Sequence, residues 1–286
     1  MLATPETIAI MQQRYGKDCA GSFQPVRYGE TVEIGGVRAS FYPAGHILGS
    51  AQILLEHKGE RIVVSGDYKR AEDPTCQPFE PIKCDIFVTE ATFALPVFQH
   101  PNPDEEIRKL TASVAAQRER THVIGCYSLG KCQRVIALLR RNGYDAPIYL
   151  HGAHEGLCNV YQRLGVPLGD LRKATGLSKE ELNGQIVLAP GSALQDRWAR
   201  RMNDPVVCNA SGWMMVRQRA KQKGVELPLV ISDHADWNEL CQTIKDVEAP
   251  EIWVTHGRED ALIHHCLSQG LSARPLALQY EDDNED

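Results

Sequence analysis

The stretch Arg61-Ile-Val-Val-Ser-Gly-Asp-Tyr68 reads as a short β-strand that runs directly into a carboxylate able to bind metal. Ile62, Val63 and Val64 are β-branched and suit a pleated, half-buried surface. Gly66 then frees the backbone to turn, leaving Asp67 at the strand end. Immediately upstream, Gln52-Ile-Leu-Leu-Glu56 is a second strand, and Lys58-Gly59 is the turn that makes the two a hairpin. Val37 to Tyr42 precedes them as a further strand, and Asp85-Ile-Phe-Val-Thr89 follows as a short buried one.

Further along, the period of the apolar residues keeps alternating between strand and helix, the pattern of an α/β protein. A helix opens at Asp104-Glu105-Glu106, where acids suit the positive end of the helix dipole. Strands are expected at His122 to Cys126, Ile148 to Leu150, Gln185 to Leu188 and Val206 to Ala210, separated by helices at Cys132 to Arg141 and His154 to Leu164. This second series has the look of an inserted unit. The expected organisation is residues 1–100 as the first part of one domain, 101–226 as the insertion and 227–280 as the completing part, with 281–286 as a disordered tail. In the completing part, Leu229-Val-Ile231 and Ile252-Trp-Val-Thr255 read as strands, Trp237 to Lys245 as a helix, and a final helix from Glu259 closes the chain.

The net charge of −6 argues at first against a phosphate-rich partner. Five of the 37 acids, however, lie in Glu281-Asp-Asp-Asn-Glu-Asp286, which leaves 32 acids against 31 bases in the body. No run approaches the roughly 18 apolar residues of a membrane span, and Met1 leads into Leu2-Ala-Thr-Pro-Glu6 rather than a basic and then apolar leader. The expected location is the cytoplasm. The nine cysteines are scattered and include no C-x-x-C pair, so they read as reduced core residues, Cys126 and Cys208 among them.

Three apolar runs end on residues that bind metal or move protons: Asp67, His234 in Ser232-Asp-His-Ala-Asp236, and His256 in Thr255-His-Gly257. Strand ends are where α/β folds build their sites. His46 joins them from the glycine-flanked loop Ala44-Gly-His-Ile-Leu-Gly-Ser50, and Glu90 from the end of the strand at 86–89. Singly, each has an ordinary explanation as a hydrogen-bonded structural residue or a turn. Together they form a set of imidazoles and carboxylates of the kind zinc accepts.

In this order, Ala44-Gly-His-Ile-Leu-Gly-Ser50, Ser65-Gly-Asp67, Thr89-Glu-Ala91, Ser232-Asp-His-Ala235 and Val254-Thr-His-Gly257 resemble the successive motifs of the β-CASP nucleases, which have the metallo-β-lactamase fold and act on DNA or RNA. Leu2-Ala-Thr-Pro-Glu-Thr7, Ala210-Ser-Gly-Trp-Met214 and Ser232-Asp-His-Ala-Asp-Trp237 add a likeness to the bacterial ligase-associated DNA exonucleases. The resemblance implies an α/β metallo-β-lactamase αββα sandwich with a β-CASP-like cap. It implies that His46 binds one zinc, Asp67 bridges two and His256 binds the second, while Glu90 and His234 are catalytic. Two metals about 3.5–4 Å apart can hold a hydroxide nucleophile and stabilise phosphate charge, and His234 can protonate the leaving oxygen. Manganese suits the same ligand set.

Tyr127-Ser-Leu-Gly-Lys131 is similar to the family's substrate-facing loop in the cap, which makes Ser128, Lys131 and Arg134 substrate-binding candidates. Arg217, Arg219, Lys221 and Lys223 are further phosphate candidates, weighed against a solvated helix face. The expected function is DNA exonuclease action in repair beside an ATP-dependent ligase and a helicase, with an RNA-processing nuclease as the alternative. The family's H-x-H-x-D-H signature occurs nowhere in the sequence. The family places it before the stretch matching Leu2 to Thr7, so the chain reads as N-terminally truncated, with a start codon assigned too late. These 286 residues alone are expected to bind metal weakly. A non-catalytic fragment that binds nucleic acid or a partner through the cap is the rival from another class.

Overall fold

The computed structural model describes residues 1–195, 198, 199, 202 and 204–276; the acidic tail at 281–286 lies outside them. Strand β1 (Leu2–Ala3) leads into helix α1 (Pro5–Tyr15), and β2 (Gln24–Pro25) returns parallel to β1. The start of α1 follows from its sequence. Thr4 Oγ1 accepts the Thr7 amide at 3.2 Å, and Pro5, with no N–H to leave unpaired, occupies the first turn. The same threonines donate to Gly49 O at 2.7 and 3.0 Å, which ties the helix start to the loop carrying His46.

An antiparallel meander comes next: β3 (Thr31–Ile34), β4 (Val37–Pro43), β5 (Ala51–His57) and β6 (Glu60–Val64). Lys58 and Gly59 both take positive φ at the hairpin tip, as a tight two-residue turn requires. Strand β7 (Ile86–Ala91) then adds parallel to β6 and is buried along its whole length. This is the near-continuous apolar run of a strand covered on both faces.

Helix α2 (Pro103–Ala116), capped by the Asn102 side chain on the Asp104 amide, carries the chain into a second sheet. Its elements are β8 (His122–Gly125), α3 (Lys131–Arg141), β9 (Ile148–Leu150), α4 (Gly152–Arg163), β10 (Leu171–Lys173), α5 (Lys179–Leu182), β11 (Ile186–Ala189), β12 (Val206–Ala210), α6 (Arg217–Gln222) and β13 (Leu227–Leu229). The six strands are all parallel in the order β10-β9-β11-β8-β12-β13. Helix α3 is buried from Lys131 to Leu139, and α4 packs against α1 of the first layer.

The chain returns through α7 (Trp237–Val247), β14 (Glu251–Gly257), α8 (Glu259–Ser268) and β15 (Ser272–Pro275). The last two strands complete a seven-stranded sheet, β15-β14-β7-β6-β5-β4-β3, with its own apolar core of Phe87, Leu240, Ile252 and Leu262 among others. The molecule is therefore α/β, with the second sheet inserted between β7 and α7 of the first layer. No described helix is long and apolar enough to cross a membrane.

Two expectations are corrected. The strand expected to open the returning part of the first layer, β13, pairs instead with β12 in the inserted sheet. It takes the edge, where Pro228 needs no ladder donor. The helix from Glu259 is not the last element, because the mostly polar β15 adds at the sheet edge beside β14. Its apolar content is too small to announce a strand.

Candidate metal and catalytic site

Two imidazoles face opposite oxygens of one carboxylate. His46 Nε2 lies 3.9 Å from Asp67 Oδ2, and His256 Nε2 lies 3.7 Å from Asp67 Oδ1. Each reaches this point by a local feature of its segment. Asp67 follows the end of β6 after Gly66, and the neighbouring Tyr68 amide donates to Glu90 Oε1 at 2.8 Å. In β14 the register with β7 slips between Thr255 and Gly257, so His256 is the extra residue of a bulge and projects from the sheet. Its φ is +56°, and Gly257 is obligatory at φ +150° because a Cβ there would stand 2.1 Å from Ala91 O.

His46 is oriented from behind. Its Nδ1 donates to Asp233 O at 2.8 Å, which fixes the tautomer and leaves the Nε2 lone pair facing Asp67. Beside it His234 makes the complementary arrangement, with Nδ1 at 3.0 Å from Glu90 Oε2 and 3.3 Å from Thr92 Oγ1, and with Nε2 turned the other way. The two rings lie 4.7 Å apart.

Burial raises the proton affinity of Glu90, but the His234 imidazole and the Tyr68 amide outweigh it and hold the carboxyl below its usual range. Burial alone would lower the His234 pKa, and the Glu90 carboxylate reverses that and raises it. Burial acts likewise on Asp233, where facing Lys131 wins and keeps the group ionised.

Among the described residues of the first layer, the donor triples that converge within 4.8 Å are His46–Asp233–His234 and Asp67–Glu90–His234. These triples are not the expected ligand trio, whose His46 and His256 meet only at Asp67. His234 belongs to both triples, but Glu90 engages its Nδ1, which leaves only Nε2 toward the cleft. A tetrahedral ion spaces its nitrogen and oxygen ligands about 3.4 Å apart, so the 3.7 and 3.9 Å separations fit two zinc ions sharing Asp67 after a small closure. If His46, Asp67 and His256 held two ions, each would have two of these donors, and a shell of about four would need others.

The site opens into a cavity of about 560 Å³ between the two layers, lined by His46, His234 and His256 on one side and by Tyr127, Ser128 and Trp213 on the other. Gly130 (φ +77°) brings the cap loop so close to the His46 loop that a Cβ would meet the Ile47 side chain at 2.2 Å.

The three substrate candidates of the cap fare differently. Ser128 lines the cavity, with its Oγ held by His154 Nδ1 at 2.8 Å. Lys131 also borders the cavity but is 2 % exposed and paired with Asp233 at 2.5 Å, its proton affinity lowered by burial. Arg134 is corrected outright: it is 1 % exposed and bound to Asp73 at 2.9 Å, so it joins cap to first layer and cannot reach a substrate. Its place in the first turn of a helix that is buried from Lys131 to Leu139 is the reason, which charge alone does not reveal. Arg219 stacks over Trp213 at 4.0 Å, near the cavity wall.

Three contributors escaped the sequence reading. Asp233 orients His46 and Lys131, Thr92 supports His234, and Tyr127 projects 76 % exposed at the cavity rim. Lying within or beside the Ser-Asp-His and Thr-Glu-Ala motifs was the signal for the first two; the third opens the loop read as substrate-facing, where the sequence did not single out its ring.

No protein-family model matches the chain. It is 31% identical over 302 residues to endoribonuclease ysh1 of Schizosaccharomyces pombe, covering 85% of this chain and 39% of that protein. It is 25% identical over 279 residues to a probable DNA ligase of Opitutus terrae, covering 96% of this chain and 26% of that one. An RNase J-like protein of Methanocaldococcus jannaschii is 24% identical over 268 residues, 77% of this chain and 64% of that protein. These Ysh1 and RNase J-like relatives are β-CASP metallo-β-lactamase-fold nucleases, and the chain is similar to them over most of its length. It spans from about a quarter to under two thirds of the length of these curated relatives. Among solved structures, a protein of unknown function from Enterococcus faecalis shares the fold with a TM-score of 0.62 at 12% identity, over 97% of this chain and 73% of that one.

Proposed function

We propose that the chain is the catalytic part of a metal-dependent phosphodiester hydrolase that degrades DNA from an end. The carrying observation is the Glu90–His234 pair beside a carboxylate faced by two imidazoles. His46, Asp67 and His256 would hold two divalent ions, zinc by donor chemistry, with manganese compatible. When bound, such ions supply positive charge against the phosphate and acidify a water between them. The chain's own residues do the rest. Glu90 keeps the His234 imidazole protonated and oriented, and His234 Nε2 gives its proton to the departing oxygen. Asp233 holds His46 and Lys131 in register, while Ser128 and Tyr127 bear on the strand from the cap.

The proposed division follows the same logic: residues 1–100 and 227–280 build the metal face, except that β13 at 227–229 pairs into the cap sheet, and 101–226 form the cap that narrows the face to a strand-sized cleft. A role in repair beside an ATP-dependent ligase and a helicase is supported by the match to a quarter of a chain named probable DNA ligase. The second reading, RNA processing, is favoured by the 31% identity to a protein named as an endoribonuclease. Digestion of end-labelled single-stranded DNA and RNA by the natural full-length protein separates them. Faster release from DNA is expected; faster RNA cleavage would overturn the choice.

A further inference from the structure

The cap contains a second cluster of metal-binding side chains, remote in character from the carboxylate site. Cys126 follows β8, Cys132 lies in the first turn of α3, and His154 and Cys158 are four residues apart on one face of α4. All four are buried, between 0 and 6 % exposed. Cys126 Sγ lies 3.7 Å from His154 Nε2, and Cys132 Sγ lies 3.9 Å from Cys158 Sγ. Donor atoms of Cys126, Cys132 and His154 all fall within 4.8 Å of one another. Cysteines that look scattered along the chain are thus gathered by the fold.

These separations can be compared with a zinc tetrahedron. Zn–S bonds of about 2.3 Å and Zn–N bonds of about 2.0–2.1 Å place neighbouring sulfurs about 3.8 Å apart and sulfur and nitrogen about 3.6 Å apart. The Cys126–His154 edge matches its value, while Cys158 Sγ meets Cys132 without converging on the other two donors. Supporting hydrogen bonds are also in place. His154 Nδ1 is bonded to Ser128 Oγ at 2.8 Å, which turns Nε2 toward Cys126, and Gln133 Nε2 donates to Cys158 Sγ at 3.4 Å. Three thiols could be core filler. A fully buried imidazole with a thiol set against its second nitrogen is harder to assign to filler.

We propose that Cys126, Cys132 and His154 form a buried structural zinc site in the cap, with Cys158 beside Cys132 but outside the converging trio. Binding displaces the two thiol protons and leaves two thiolates and one neutral imidazole on the ion. Because Cys126 and Cys132 bracket Tyr127–Lys131, the ion pins both ends of the loop that presents Ser128 to the cleft.

The test uses the whole chain, both unaltered and with Asp67→Asn to disable the carboxylate site. As purified, the Asp67→Asn protein should retain one equivalent of zinc by elemental mass spectrometry. Replacement by Co²⁺ alone should give a near-ultraviolet thiolate-to-cobalt charge-transfer band in both proteins. Cys126→Ser should weaken that band, and an unchanged band there would overturn the ligand assignment. Absence of both the retained zinc and the band in the unaltered chain would overturn the site itself, whatever the variants do.

Discussion

Glu90 Oε2 and His234 Nδ1 are 3.0 Å apart, joining the end of a fully buried strand to a loop 144 residues further along the chain. The contact sets the protonation of both partners. Without the carboxylate, His234 loses what raises its pKa, so Glu90→Gln should shift the alkaline limb of the rate profile to lower pH. A general acid works only below its own pKa. The turnover should fall by about 10²- to 10⁴-fold, the usual worth of such a proton transfer. A pH–rate series on the full-length protein, variant against unaltered, checks both the magnitude and the direction.

Arg134→Ala should destabilise strongly. It strands the 5 % exposed Asp73 without its partner, and breaking a buried pair from one side costs about 3–5 kcal/mol. Arg134→Met combined with Asp73→Asn removes both charges and should recover much of that loss. Urea unfolding midpoints of the two variants decide the matter.

His100 gives an acid-sensitive term. Burial, with Lys69 nearby, lowers its pKa from 6.5 to about 3, and neither ring nitrogen has a partner. The folded state therefore resists a proton that the unfolded chain accepts. Stability is full above pH 6.5 and is lost progressively as pH falls from there toward 3. His100→Phe, which keeps the edge-on packing against Phe93, should flatten this segment of a stability–pH curve.

Tyr127 stands 76 % exposed at the rim, opposite the metal face. Stacking one base on such a ring contributes about 1–3 kcal/mol, so Tyr127→Ala should weaken single-strand binding by roughly 5- to 150-fold without altering the melting temperature. Fluorescence anisotropy with a labelled oligonucleotide measures it.

Most of the strands and helices are legible because β-branched runs and helical periods are local. The hairpin at Lys58-Gly59, the helix after Asn102 and the three strand-end residues Asp67, His234 and His256 all follow from a few neighbouring residues. What stays hidden depends on distant packing. Whether Arg134 meets phosphate or Asp73 is decided by its own helix being buried from Lys131 to Leu139 against a carboxylate 61 residues away in sequence. Strand β13 carries the same apolar signal in either sheet, and only the three-dimensional neighbour chooses between them. The gathering of Cys126, Cys132 and Cys158 likewise needs β8, α3 and α4 to be assembled first.

The two ion pairs that join cap to first layer, Lys131–Asp233 and Arg134–Asp73, have a mechanical corollary. Prising the layers apart would have to separate both buried pairs together, and a movement that left one charge buried without its partner would cost about 3–5 kcal/mol. For the proposed nuclease, a jaw latched in this way favours a strand threaded through an aperture of set width over one clasped from above, and a duplex that presents a frayed tip.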